Sequence, residues 1–191
     1  MKLAAPFLVA LCACATSGRP RSGSVSNVEW WPRERVFLAK TAGFEAAVPA
    51  GWERAIRERD VLLVTRDGRS LQEIEVASSV VGEPLGLGIG VWPVSAGMTS
   101  AGLAGLFLQD ARTSLPGLEV VERGTVELAG RDAVRVVVSY RDPTGLRRRV
   151  AFCGVMEGGN AYYAAYFAPE RYYFALDLPV FEEVARSVRL R

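Results

Sequence analysis

Few side chains in this sequence are suited to chemistry, and their spacing limits what that chemistry is. Histidine is absent, which excludes Ser-His-Asp and Cys-His nucleophilic pairs and histidine-ligated metal sites. Of the three cysteines, Cys12 and Cys14 stand two positions apart behind an apolar run, and Cys153 stands alone in VAFCGVM. A close cysteine pair serves as a metal clip, a disulfide or a processing signal; the clip needs a third and fourth ligand, and none follows. Cys153 lacks a partner in the mature chain and reads as a buried, inert thiol. Glu182-Glu183 falls on the polar side of a helical pattern, where a solvated face explains it better than paired acid/base work.

Three further groups are candidates for binding. Gly86-Leu87-Gly88-Ile89-Gly90 has a superficial phosphate-loop look, but no Gly-Lys-Ser/Thr follows and no parallel strand-helix-strand unit surrounds it. Arg147-Arg148-Arg149 offers donor forks suited to phosphate. On a strand, however, alternate residues face opposite ways, so the triplet reads as a solvated strand end. Tyr162, Tyr163, Tyr166 and Phe167 alternate with Ala164 and Ala165, a large-small order that suits interdigitated core packing. The net charge of +2 gives no concentrated basic surface, so nucleic acid is not expected as a partner.

The N-terminal residues settle the reading of the cysteine pair. Met1-Lys2 is a short charged region, Leu3 to Leu11 an apolar one, and Cys12-Ala13-Cys14 a small-residue end, the order of a secretory signal. The apolar run to Ala15 covers about 20 Å at helical rise, short of the roughly 30 Å hydrocarbon core. Leu11-Cys12-Ala13-Cys14 resembles a bacterial lipobox with Cys14 as the acceptor; Cys12 does not fit, because Leu11 would occupy its −1 position. The resemblance implies cleavage before Cys14 and lipidation of its thiol, several acyl chains being needed for stable anchoring. Ala15 after the acceptor, by resemblance to the enteric sorting rule, points to the outer membrane facing the periplasm. The expected organisation is a signal peptide over 1–13, a lipidated cysteine and tether over 14–28, and one domain over 29–191. The tether reaches about 20 Å by flexible-chain scaling. Trp30-Trp31-Pro32, just inside the domain, suits either a packed N-terminal arm or a lipid interface.

Positioning of these residues falls to a sheet and two helices. FEAAV, the run from Trp52 to Ile56, VLLVTR, LQEIEVASSVV, LEVVERGTVEL, AVRVVVSYR, LRRRVAFCGVM and AYYAAYFA are β-rich runs, and Asp67-Gly68, Ala129-Gly130, Asp142 to Gly145 and Glu157 to Asn160 are turns. Each of these connections is too short for a parallel crossover, so the sheet is expected to be antiparallel and largely a meander. Leu103, Leu106, Phe107 and Ala111 predict a helix from about Ser100 to Ser114, stopped by Pro116-Gly117. A second helix is expected to begin with Asp177 as its cap, to bury Val180, Phe181, Val184 and Val188, and to end the chain. AVRVVVSY is apolar on both faces, so both sides of the sheet need cover.

Residues 82–98 make a loop of about seventeen residues, beyond the roughly 12 to 15 at which unstructured loops become uncommon. It carries Leu85, Leu87, Ile89, Trp92 and Met98 among five glycines. These apolar residues either fold back as a lid on the sheet or form a docking patch, with Leu87, Ile89, Trp92 and Met98 as the candidate partner or ligand contacts and Trp92 as the anchor. So much glycine predicts a mobile loop when nothing is bound.

From about Gly43 to Leu190, GFEAAVPAGW, LVTRDGRSLQEIEV, GMTSAGLAGLFLQDA, VELAGRDAVRVVVSYRD, YYAAYFAPERYYF and FEEVARSVRL resemble bacterial lipoproteins of the PsbP-like/Mog type, with DcrB a relative by fold. The resemblance implies an α+β fold, an α-β-α sandwich around a mainly antiparallel sheet of about six to eight strands. Members of that fold serve as a photosystem subunit, a Ran-binding factor or envelope lipoproteins, so the fold leaves the activity open. The expectation is a lipid-anchored envelope protein acting as a non-enzymatic accessory or binding subunit with an envelope protein partner, and no cofactor or metal. The alternative is a carrier of a small apolar ligand under the 82–98 loop; an enzyme is the third reading.

Overall fold

Local turn chemistry builds most of the main sheet. The computed structural model describes residues 28–29, 37–56 and 60–191; the readings of Cys14, the tether and Trp30-Trp31-Pro32 lie outside the described residues. The strands are β1 (Val28–Glu29), β2 (Phe37–Lys40), β3 (Phe44–Val48), β4 (Glu53–Ile56), β5 (Val61–Thr65), β6 (Glu73–Val80), β7 (Glu119–Leu128), β8 (Arg131–Arg141), β9 (Arg147–Glu157), β10 (Asn160–Pro169) and β11 (Arg189–Leu190). The helices are α1 (Ser100–Ser114) and α2 (Ala175–Ser187).

Among the described residues an eight-stranded sheet runs in the order β1-β4-β5-β6-β10-β9-β8-β7, and every neighbouring pair is antiparallel. Strands β7 to β10 form the expected meander. Its last turn is Gly158-Gly159, whose φ angles of 56° and 81° suit a two-residue hairpin loop that matches strand twist. The Asp67-Gly68 turn lies between β5 and β6, which pair with Val64 opposite Ile74.

Period-two alternation sends each strand's apolar residues into two separate cores. Along β10, Tyr162, Ala164 and Tyr166 enter one core and Ala161, Tyr163 and Ala165 the other; along β9, Ala151, Cys153 and Val155 oppose Val150 and Phe152. Helix α1 covers the second face. Thr99 caps it by accepting from the Gly102 amide at 3.1 Å, and Phe107 stacks on Phe152 of β9 with ring centroids 4.5 Å apart. Gly154 permits this approach, since a Cβ there would lie 3.2 Å from Leu103 Cδ1.

The first face is covered by α2 together with a three-stranded sheet, β11-β3-β2. The architecture is the expected α+β sandwich, with this small sheet as an addition. Two expectations about the C-terminus are corrected. Helix α2 starts at Ala175, and Asp177 is no cap: it lies in the first turn, buried, accepting from Arg66 Nη1 at 2.8 Å and Gln72 Nε2 at 2.7 Å. Nor does the helix end the chain. Arg189 and Leu190 pair with Glu45 and Phe44, because the edge of β3 offers backbone partners to residues that a helix would leave unpaired.

Candidate functional site

The 82–98 loop is tied down along its length. Gly82 and Val94 bridge its ends, with Gly82 N donating to Val94 O and Val94 N to Glu83 O, both at 2.9 Å. The Gly86 amide donates to Tyr163 Oη at 2.7 Å. At the far end the buried Asp110 of α1 accepts from the Val91 and Trp92 amides at 2.9 and 3.2 Å, and Ser114 Oγ donates to Ile89 O at 3.1 Å. This held loop replaces the mobile one that its glycines predict. The reason lies in what the glycines do: a Cβ at Gly90 would collide with the Leu85 carbonyl, and Gly88 has a φ of 74°. They close the loop on itself rather than loosening it.

The four candidate contacts do not share one environment. Leu87, Ile89 and Met98 are partly buried and pack against the same core as α1, while Leu85 and Val94 are fully inside it. Trp92 is 46% exposed and its neighbour Val91 64%. The loop is thus a lid whose tip presents two apolar side chains on a backbone fixed by a carboxylate. The space beneath it is filled by its own side chains. An adjoining cavity of about 410 Å³ has a mixed lining, with Val61, Val80 and Tyr163 beside Asp60, Ser78 and Glu83.

A second site appears where the start of β9 meets the segment that joins β10 to α2. Arg147 and Arg149, two apart on the strand, face the same way as alternation requires, and both bind Glu170. Arg147 Nε lies 3.0 Å from Glu170 Oε2 and Arg149 Nη2 2.8 Å from Oε1, while Ser139 Oγ donates to Glu170 at 3.1 Å. Arg148 points the other way and donates to Ser70 O at 2.7 Å. The solvated-strand-end reading is therefore corrected: two of the three arginines are organised on a carboxylate. Burial pushes the Glu170 carboxyl up, but its hydrogen bonds to Arg149 and Ser139 and the charges of Arg149 and Arg147 outweigh this and hold it below the usual range. Leu146, Arg147, Arg149, Glu170 and Arg171 line a cleft of about 430 Å³.

Directly after Arg171, Tyr172 has φ 71° and ψ −63°, the strained form of the γ-turn. In a residue with a Cβ this costs about 1–3 kcal/mol. It is fixed from both sides, by the Glu170 ion pairs before it and, after it, by Tyr166. The Tyr166 hydroxyl donates to Tyr173 O at 2.8 Å, and its ring stacks on Phe174 at 5.4 Å. The result is a tyrosine ring 71% exposed.

The remaining candidates have structural surroundings. Cys153 is buried in β9, and burial pushes its thiol up to about 12, which keeps it protonated and unreactive at neutral pH. Glu182 is not part of a free acidic face: it pairs with Arg135 of β8 at 3.1 Å. Among the described residues no group of three or more His, Cys, Asp or Glu could hold a metal ion, and no helix is long and apolar enough to cross a membrane.

No family model and no curated protein matches the sequence. Solved structures match the fold. Cyanobacterial PsbP (CyanoP) from Synechocystis sp. PCC 6803 has a TM-score of 0.51 at 15% identity over 88% of this chain and 96% of that chain. The Ran-binding protein Mog1p of Saccharomyces cerevisiae has a TM-score of 0.50 at 10% identity over 82% of this chain and 95% of that one. A Bacteroides thetaiotaomicron structure matches with a TM-score of 0.48 at 12% identity over 83% of this chain and 49% of that one, so the chain spans about half that protein's length.

Proposed function

We propose that this chain is a non-enzymatic accessory or binding subunit of the bacterial cell envelope, tethered through a lipid on Cys14 to the outer membrane and facing the periplasm. Its contact with an envelope protein partner is made by the tip of the 82–98 loop, with Trp92 as anchor and Leu87, Ile89 and Met98 as the packed base beneath it. The observation that carries the reading is the exposed Val91-Trp92 pair on amides fixed by Asp110. An aromatic side chain held in place before contact loses little further freedom on binding and can bury a large apolar area. The fold supports a binding role in that one neighbour of this architecture is a Ran-binding protein. The carrier alternative would use the mixed cavity beside the loop, since the loop's own side chains occupy the space directly beneath it.

Two experiments test this. Cys14→Ser is expected to leave the precursor unprocessed and without diacylglycerol, whereas Cys12→Ser is expected to change neither; the reverse outcome overturns the anchor assignment. Affinity capture of the tethered chain is expected to recover a partner that Trp92→Ser loses. Capture that survives Trp92→Ser contradicts the contact surface.

A further inference from the structure

We propose that the cleft between the start of β9 and the segment that joins β10 to α2 binds a small amphiphilic anion, a carboxylate or phosphate carried on an apolar stem. Three guanidinium groups line it, from Arg147, Arg149 and Arg171, against the carboxylate of Glu170 in the lining and that of the exposed Glu119, 3.4 Å from Arg147 Nη2. The Glu170 carboxylate spends both oxygens on Arg147 and Arg149, so the site already shows the geometry in which it takes an anionic group. Arg171 is exposed and has no ion-pair or hydrogen-bond partner among the described residues, which leaves one donor fork for an incoming anion. The Arg149 Nε–H is buried and likewise has no partner. The apolar component is Leu146, exposed in the cleft wall. A volume of about 430 Å³ suits a small molecule.

Resting on the Cys14 anchor proposed above, the strand registers favour a soluble ligand over a bilayer surface. Glu53 of β4 opposes Thr65, Glu73 of β6 opposes Phe167, and Arg148 of β9 opposes Pro169, which puts these residues at the same end of the sheet as the cleft. In β1, Glu29 opposes Arg54 and Val28 opposes Ala55. The chain therefore enters β1 at Val28 from the opposite end, away from the cleft.

The full chain is titrated with octyl phosphate, octanoate and, as the neutral control, octanol, each below its aggregation concentration, by calorimetry and by amide shifts of residues 146–149 and 170–172. Both anions, or whichever headgroup fits, are expected to bind at least about tenfold more tightly than octanol. Arg171→Ala is expected to weaken anion binding about tenfold, the usual loss for one charge-assisted contact, and Arg112→Ala, on α1, to leave it unchanged. Arg171 has no internal partner, so its removal leaves the fold intact, and circular dichroism checks this. Equal binding of octanol, no binding of either anion, or indifference to Arg171→Ala overturns the proposal. So does capture of phosphatidylglycerol vesicles that Arg171→Ala abolishes, by a protein that ignores the soluble anions, which would assign the cleft to a membrane surface.

Discussion

The 82–98 loop and the junction between β10 and α2 both depart from regular structure, and they do so in opposite ways. The loop looks irregular in sequence yet holds its apolar residues inward, and its glycines relieve contacts that other residues could not make. The junction contains no glycine, yet it places an aromatic residue in a left-handed conformation beside a cluster of ion pairs. Glycine therefore marks where strain has been avoided. Tyr172 marks where it has been kept, sustained by Glu170 on one side and Tyr166 on the other.

Substitutions that affect one region and spare the other sharpen this contrast. The largest effect is expected from Leu85→Ala, which removes a side chain fully buried under the loop. A loss of about 2–5 kcal/mol is typical of such a site, and in thermal unfolding a domain of this size should melt roughly 5–15 °C earlier. A shift under about 2 °C would mean that the loop is not a lid.

At the junction the sign reverses. Tyr172→Gly relieves the left-handed backbone and is expected to raise stability by about 1 kcal/mol, measured by denaturant unfolding; a loss of that size would show that the ring packs usefully.

A smaller, pH-dependent effect is expected from Glu170→Gln. The Glu170 carboxyl lies below its ordinary value in the folded protein, so its contribution to stability is complete above the ordinary carboxylate range. That contribution is lost as pH falls through the folded-state value. The variant should be less stable than the parent at pH 7, by less than about 1 kcal/mol given the partial exposure, and the two should converge in acid. A difference that persists at pH 2 would contradict the ion-pair account.

The smallest effect on stability belongs to Trp92→Ser. With its indole half exposed, the change should stay within about 0.5 kcal/mol, in contrast to Leu85 a few residues earlier on the same loop.

Much of this molecule can be read from its sequence where structure is set locally. The meander from β7 to β10, the Asp67-Gly68 hairpin and helix 100–114 follow from turn residues and apolar spacing within a few positions of one another. The three-stranded sheet does not, because β11 is two residues long and finds its partner at Glu45 and Phe44, on the far side of the chain. Asp177 looks like a helix cap by type; its burial against Arg66 and Gln72 comes from a hairpin more than a hundred positions earlier. The cleft was illegible for a related reason. Alternation separates Arg148 from Arg147 and Arg149, but the carboxylate that organises those two lies beyond β10, 21 positions after Arg149, and no residue type announces the turn at Tyr172.

The account turns on the claim that the rigid loop tip, rather than the strained junction, is the surface that meets a protein partner. A photo-crosslinking residue placed at 92 in the tethered full chain, and separately at 172, tests this most directly in whole cells. The account predicts a discrete protein adduct from position 92 and none from position 172. An adduct from 172 with none from 92 would contradict it.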